Sequence, residues 1–209
     1  MSCRSFRLPH QWSAAILVAA CISNPALPVA VQAAPRQVLL IRHGHKLGEG
    51  GNFNLSRQGL ERVSALAGLI PACFGEVTHI VTYGFNPDTG KNARSYQSAV
   101  PLAVFTGVNI RLEAHSESDS AEVGRRIVAD PAYEGGRLVL FWEHRRLPQL
   151  AAGLGWTSMP AIADDDFDSL DMLSYVDFHS APSVRRYNQT LLLKGRERCP
   201  DKPHALTPP

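Results

Sequence analysis

The sequence predicts an α/β fold: a three-layer sandwich with a mostly parallel central sheet and helices on both faces. Three observations lead there. Short apolar runs at residues 38–41, 79–81 and 138–142 do not alternate with polar residues, as expected of strands buried on both faces. Stretches with helical periodicity lie between those runs, and strand–helix alternation is the signature of a parallel sheet. At 209 residues, 44% apolar and 19% charged, the chain can bury a real core and is neither disordered nor a multi-span membrane protein by composition.

Taken in order, the chain begins with a segment that carries Arg4 and Arg7 and no acid through residue 33. An apolar stretch at residues 12–21 is followed by a run of small and apolar residues ending at Val31-Gln32-Ala33, the layout of a secretory signal peptide over residues 1–33. Pro25 and Pro28 interrupt the apolar stretch, which makes a spanning helix of about 20 residues a poor fit. A second reading stays open. Val18-Ala19-Ala20-Cys21 is similar to a bacterial lipobox, which gives a lipoprotein signal of residues 1–20, a lipidated Cys21 and a tether over residues 21–36. Membrane association is expected only in that case.

The main domain is expected over residues 36–195, with a C-terminal tail over 196–209 whose prolines favour fraying. After the first strand, Ser56 is a good N-cap for a helix buried through Leu60, Val63, Leu66 and Leu69 or Ile70. The second strand is followed by a stripe of Tyr96, Val100, Ala103 and Val104, which Pro101 should kink or shorten. A third helix, capped by Asp119 or Ser120, buries Val123, Ile127 and Val128; a fourth, through Leu147, Leu150, Ala151 and Leu154, stops at Gly155. Edge strands are expected at residues 173–178 and 184–192, and the acidic run from Asp164 to Asp168 reads as a solvated surface loop.

Charge excludes one class of partner. The chain's net charge of +2 disappears once residues 1–33 are set aside, leaving 19 basic and 19 acidic residues. A general nucleic-acid surface is not expected, although a local cationic pocket is compatible with that balance. Of the four cysteines, Cys73 and Cys199 remain after export, and an oxidising compartment makes a disulfide between them one expectation and two unpaired thiols the other.

The chemistry gathers at strand ends. The first apolar run leads into Arg42-His43-Gly44-His45 and the third into Glu143-His144-Arg145, while Arg94 starts the helix after the second. Ligands of open α/β sheets collect at the carboxyl ends of the strands. Several fixed cations there suit a phosphoryl group, whose oxygens accept the fork of an arginine.

These blocks resemble the histidine phosphatase superfamily, with its phosphoglycerate mutase-like fold. Leu40-Ile41-Arg42-His43-Gly44 is similar to the family's R-H-G signature, and Asn54-Leu55-Ser56-Arg57-Gln58-Gly59 to the L-S/T-x-x-G that opens its first helix. Arg94-Ser95-Tyr96-Gln97-Ser98-Ala99 resembles R-x-x-Q-T-A, and Trp142-Glu143-His144 with Leu147-Pro148-Gln149-Leu150-Ala151 resembles the second-histidine block. The resemblance spans residues 36–192. It implies that His43 is a nucleophile forming a phosphohistidine, and that Arg42, Arg94 and His144 bind the phosphoryl oxygens. It implies no metal and no cofactor, and a phosphorylated small molecule or phosphoprotein as substrate.

The proton donor departs from the pattern. Arg145 stands where some branches place an aspartate after the second histidine, so Glu117 or Asp119 is the expected donor. Glu143 is set aside because a strand position would turn its side chain away. His45 and Lys46 are expected to be solvated. Three functions follow: an exported phosphatase, a catalytically weak or inactive phospho-ligand or protein-binding module on the same fold, and a metal-binding envelope protein using His43, His45 and His144. Substrate identity and oligomeric state are not legible.

Overall fold

The structure, a computed structural model, describes residues 34–48, 52–114, 120–177 and 179–200. The chain divides into two units, residues 1–31 and 32–209, and all that follows concerns the second. The expected leader, Cys21, the candidate donors Glu117 and Asp119, and the terminal residues 201–209 lie outside the described residues.

Six strands form one sheet: β1 (Gln37–Arg42), β2 (His79–Tyr83), β3 (Ile110–Ala114), β4 (Arg137–Trp142), β5 (Ser169–Ser174) and β6 (Ser183–Asn188). Their order is β3-β2-β4-β1-β5-β6. The first four run parallel, and β5 and β6 add an antiparallel edge. The helices are α1 (Arg57–Phe74), α2 (Ala93–Thr106), α3 (Ser120–Ala129), α4 (Leu147–Gly153) and α5 (Gln189–Leu193).

The apolar runs explain the layering. Along β1 and β4, alternate residues point to opposite faces, and both faces are covered. Val38, Leu40, Leu138, Leu140 and Trp142 join one core with Val123 and Ile127 of α3 and Leu147 and Leu150 of α4. Leu39, Ile41, Val139 and Phe141 join the other with Leu66 and Ile70 of α1 and Ala99 and Leu102 of α2. Strand β4 lies between β1 and β2 although it follows both in sequence. The connections from β1 and into β4 thus diverge to opposite faces, and their carboxyl ends open a crevice.

Several elements differ from the sequence expectations. Helix α2 continues through Pro101 and ends at Gly107, whose N–H donates to Ala103 O at 2.8 Å. Its buried face is Ser95, Ser98, Ala99 and Leu102, while Val104 is 79% exposed. Small residues let this helix sit close to the sheet, and periodicity weighted by bulk chose the wrong stripe. The edge strands begin and end earlier than expected. Cys73, fully buried in the last turn of α1, forms a disulfide with Cys199, their Cα atoms 4.8 Å apart, so the tail is tied down at least that far.

Candidate active site

Local backbone chemistry builds the site at the ends of β1 and β4. Beyond Arg42 the chain turns through His43 and Gly44, and the Gly44 N–H donates to Ser98 Oγ at 2.9 Å. Ser98 Oγ in turn donates to Arg94 O at 2.7 Å, linking the loop to the first turns of α2. The two glycines of this region are required by close approach. A Cβ on Gly44 would stand 3.0 Å from Gly59 O, and one on Gly59 only 2.5 Å from His45 O. The loop therefore lies directly on the start of α1, which Ser56 caps by accepting from Gly59 N. Gln97 holds the neighbouring loop: Leu55 N donates to its Oε1 and its Nε2 donates to Asn54 Oδ1.

His43 is 4% exposed, and its Nδ1 stands 2.8 Å from Gly44 O. A carbonyl only accepts, so Nδ1 carries the proton and Nε2 the lone pair. Burial pulls the ring down to about 4. The Gly44 bond works against that fall, and the charges of Arg42, Arg94 and His144 add to it. His43 is thus a neutral imidazole of fixed tautomer at ordinary pH.

Arg42 is also 4% exposed. Its Nη1 donates to Ala163 O and Asp166 O at 2.9 and 2.8 Å, and its guanidinium lies 3.8 Å over the Phe167 ring. Burial lowers Arg42 to about 10, partly offset by Asp164, Glu143 and Asp166, which leaves it charged at neutral pH. Arg94 spends Nη1 on Asn52 O at 3.0 Å. Among the described residues, Nη2 of either arginine bonds no acceptor. Both point charge at a shared cavity of about 530 Å³.

The turn after β4 brings the second histidine. His144 is 7% exposed, its ring centroid 6.0 Å from that of His43. Its Nε2 donates to Asp164 Oδ1 at 2.7 Å, which anchors the ring and leaves Nδ1 on the side of Glu143, 2.9 Å from Oε1 but off the hydrogen-bond line.

Glu143 corrects an expectation. Strand β4 ends at Trp142, and residue 143 starts a 3₁₀ turn, where its carboxylate accepts from Arg145 N at 3.0 Å. It is no longer part of the pleat, and its side chain lines the cavity with His43. Burial acts to raise this carboxyl, but the His144 contact and the charge of Arg145 outweigh it and hold it below the usual glutamate range.

The acidic loop is not a plain solvated turn. It carries the carbonyls that hold Arg42, the Asp164 that anchors His144, and Phe167, whose ring also stacks on His45 at 4.1 Å. Arg62 of α1 fastens it by donating to Phe167 O and to the Asp168 carboxylate. His45 is therefore half-buried against an aromatic ring instead of solvated. Asp164 and Phe167 carry no motif, and only their place in the fold reveals them.

A metal suits this site poorly. His43, Glu143 and His144 can each offer an atom, all within 4.8 Å of one another, but not His45. Ligands around zinc lie about 2.0–2.2 Å from the ion, so such a spread is loose, and the His43 Nδ1 and His144 Nε2 are already engaged. Six cations line the cavity (Arg42, Lys46, Lys91, Arg94, Arg145 and Arg146) against one carboxylate, Glu143. The field favours an anion.

No family model and no curated protein matches the chain. Solved structures do. The protein histidine phosphatase SixA in complex with tungstate is 14% identical over 75% of this chain and 99% of that one, with a TM-score of 0.51. A phosphoglycerate mutase from Bacillus anthracis is 10% identical over 80% of this chain and 99% of that one, also at 0.51. A mycobacterial glucosyl-3-phosphoglycerate phosphatase with inorganic phosphate is 19% identical over 73% of this chain and 95% of that one, at 0.49. The six-stranded mixed sheet with helices on both faces, matched by these structures over most of its length, thus has a phosphoglycerate mutase-like fold.

Proposed function

We propose that the protein is an exported phosphatase that passes the phosphoryl group of its substrate through His43 to water. The observation that carries this reading is the neutral, nearly buried imidazole with Nδ1 locked on Gly44 O, its Nε2 lone pair left for a phosphorus atom inside a cationic cavity. The fold shared with a protein histidine phosphatase supports it. Export rests on the N-terminal residue pattern and agrees with a disulfide between Cys73 and Cys199.

In the first step the Nε2–P bond forms and the P–O bond to the leaving group breaks. Free N–H groups of Arg42 and Arg94 meet the equatorial oxygens, where charge is spread in the transition state, and His144, its Nε2 held by Asp164, borders the same cavity. In the second step water attacks phosphorus from the side the leaving group vacated, and the N–P bond breaks. The ionised Glu143 is the described carboxylate placed to take the water's proton. Glu117 and Asp119 lie outside the described residues and stay candidates for protonating the leaving group.

The test is hydrolysis of p-nitrophenyl phosphate by the mature chain and by His43→Ala, with circular dichroism to verify folding. A folded variant should lose at least about a thousandfold in kcat. Phosphate binding by the wild type without any turnover would assign the fold to a non-catalytic phospho-ligand module.

A further inference from the structure

The cavity holds more positive charge than one phosphoryl group uses. Arg42, Arg94, His43 and His144 account for that group. Lys46, Lys91, Arg145 and Arg146 line the same cavity and are all exposed, whereas Arg42 and His43 are 4% and His144 7% exposed. The buried set forms the floor and the exposed set the mouth.

The mouth cations come from three separate elements: Lys46 follows β1, Lys91 precedes α2, and Arg145 and Arg146 lie in the turn after β4. Among the described residues no carboxylate pairs with Lys46, Lys91 or Arg146, and Arg145 comes only within 3.9 Å of Asp164. Two polar groups beside them are also uncommitted. Asn92 holds a left-handed conformation at φ 69° and caps α2 without a side-chain bond, and Ser95 Oγ is buried with no partner. Both line the cavity. Like charges held close together repel, and a surface with no other use for them disperses them.

Resting on the phosphatase reading above, we infer that the substrate carries a second anionic group on its leaving group, held at the cavity mouth by Lys46, Lys91, Arg145 and Arg146. In-line displacement fixes the direction: with His43 attacking from the floor, the leaving group departs opposite it, toward the mouth. About 530 Å³ falls in the range of cavities that enclose whole small molecules, roughly 300–1,000 Å³. The substrate is a compact phosphorylated molecule with a carboxylate or further phosphoryl group close to the scissile bond. Where that group is a phosphoryl in anhydride linkage, the Nε2–P bond forms as the bridging P–O bond breaks, and the departing phosphate leaves as an anion without needing a proton.

Calorimetric titration of the mature protein with inorganic phosphate and with pyrophosphate tests the subsite without any turnover. Pyrophosphate should bind at least about tenfold more tightly. That advantage should vanish in the triple variant Lys46→Ala, Lys91→Ala, Arg146→Ala while phosphate affinity holds. Equal affinities, no binding of either anion, or an advantage that survives the triple variant would overturn the inference. Hydrolysis of ethyl phosphate, phosphoglycolate and ethyl diphosphate then separates the two anions, the preferred substrate having the higher kcat/KM. Tight pyrophosphate binding with none of the three hydrolysed would leave the subsite standing and remove the phosphatase reading. Hydrolysis of all three at equal kcat/KM would do the reverse.

Discussion

At the scale of single residues, the state of one imidazole decides the chemistry. His43 is held at about 4, against an unperturbed 6.5, chiefly by burial. The pH dependence of kcat/KM, which reports the free enzyme, should therefore show its nucleophile limb near pH 4 once substrate ionisation is removed. A limb near 6.5 would mean a solvated ring. The same shift has a sign for stability. Between pH 6.5 and 4 the unfolded chain binds a proton that the folded chain refuses, so stability is complete above pH 6.5 and falls as pH drops through that window. The loss amounts to at most about 3 kcal/mol for this residue, and His45 and His79, also lowered mainly by burial, act in the same direction. Thermal unfolding of wild type and His43→Gln at pH 7 and pH 4.5 checks it: the variant should lose less on acidification. The residue motifs were the most legible part of the sequence, because Arg42 ends a strand, His43 and His144 lie just beyond one, and Arg94 stands in the first turn of a helix, elements whose type could be read. Glu143 was misread for a local reason, since the alternation rule for strands stops where β4 stops, one residue earlier.

At the scale of elements, the segment from Ala163 to Asp168 acts as a strap across the site. It supplies backbone acceptors for Arg42, a carboxylate for His144 and a ring between Arg42 and His45. Asp164→Ala and Phe167→Ala should each lower kcat/KM by ten- to a hundredfold through misplaced cations, with circular dichroism unchanged. Wild-type kinetics in both variants would return the loop to the plain surface role its composition suggested. Four acidic residues in five read as solvated because their partners lie more than a hundred positions away in sequence or belong to a turn, and no local pattern reports that. Strand β3 escaped for a different reason. Ile110-Arg111-Leu112-Glu113-Ala114 is an edge strand with Arg111 and Leu112 exposed, and it lacks the continuous apolar run that marked β1 and β4.

At the scale of the whole molecule, a sheet covered on both faces leaves one open rim, and the reactive groups stand there. Among the described residues no helix is long and apolar enough to cross a membrane. The disulfide lies at the far end of α1 from that rim; an 18-residue helix is about 27 Å long. It closes a separation of 126 residues, which on a chain-entropy account contributes up to about 5 kcal/mol. Cys73→Ala with Cys199→Ala should therefore lower the melting temperature and leave kcat at 25 °C unchanged. An altered kcat would show that the two ends of α1 are coupled. If the phosphoryl group passes through His43, a covalent adduct forms during turnover, and rapid acid-free quench of the protein with a ³²P-labelled phosphomonoester captures it. The expected result is protein-bound label that is stable in alkali, lost in acid, and mapped to the peptide containing His43. Sustained turnover with no such adduct at any quench time, or a label on another residue, would contradict it.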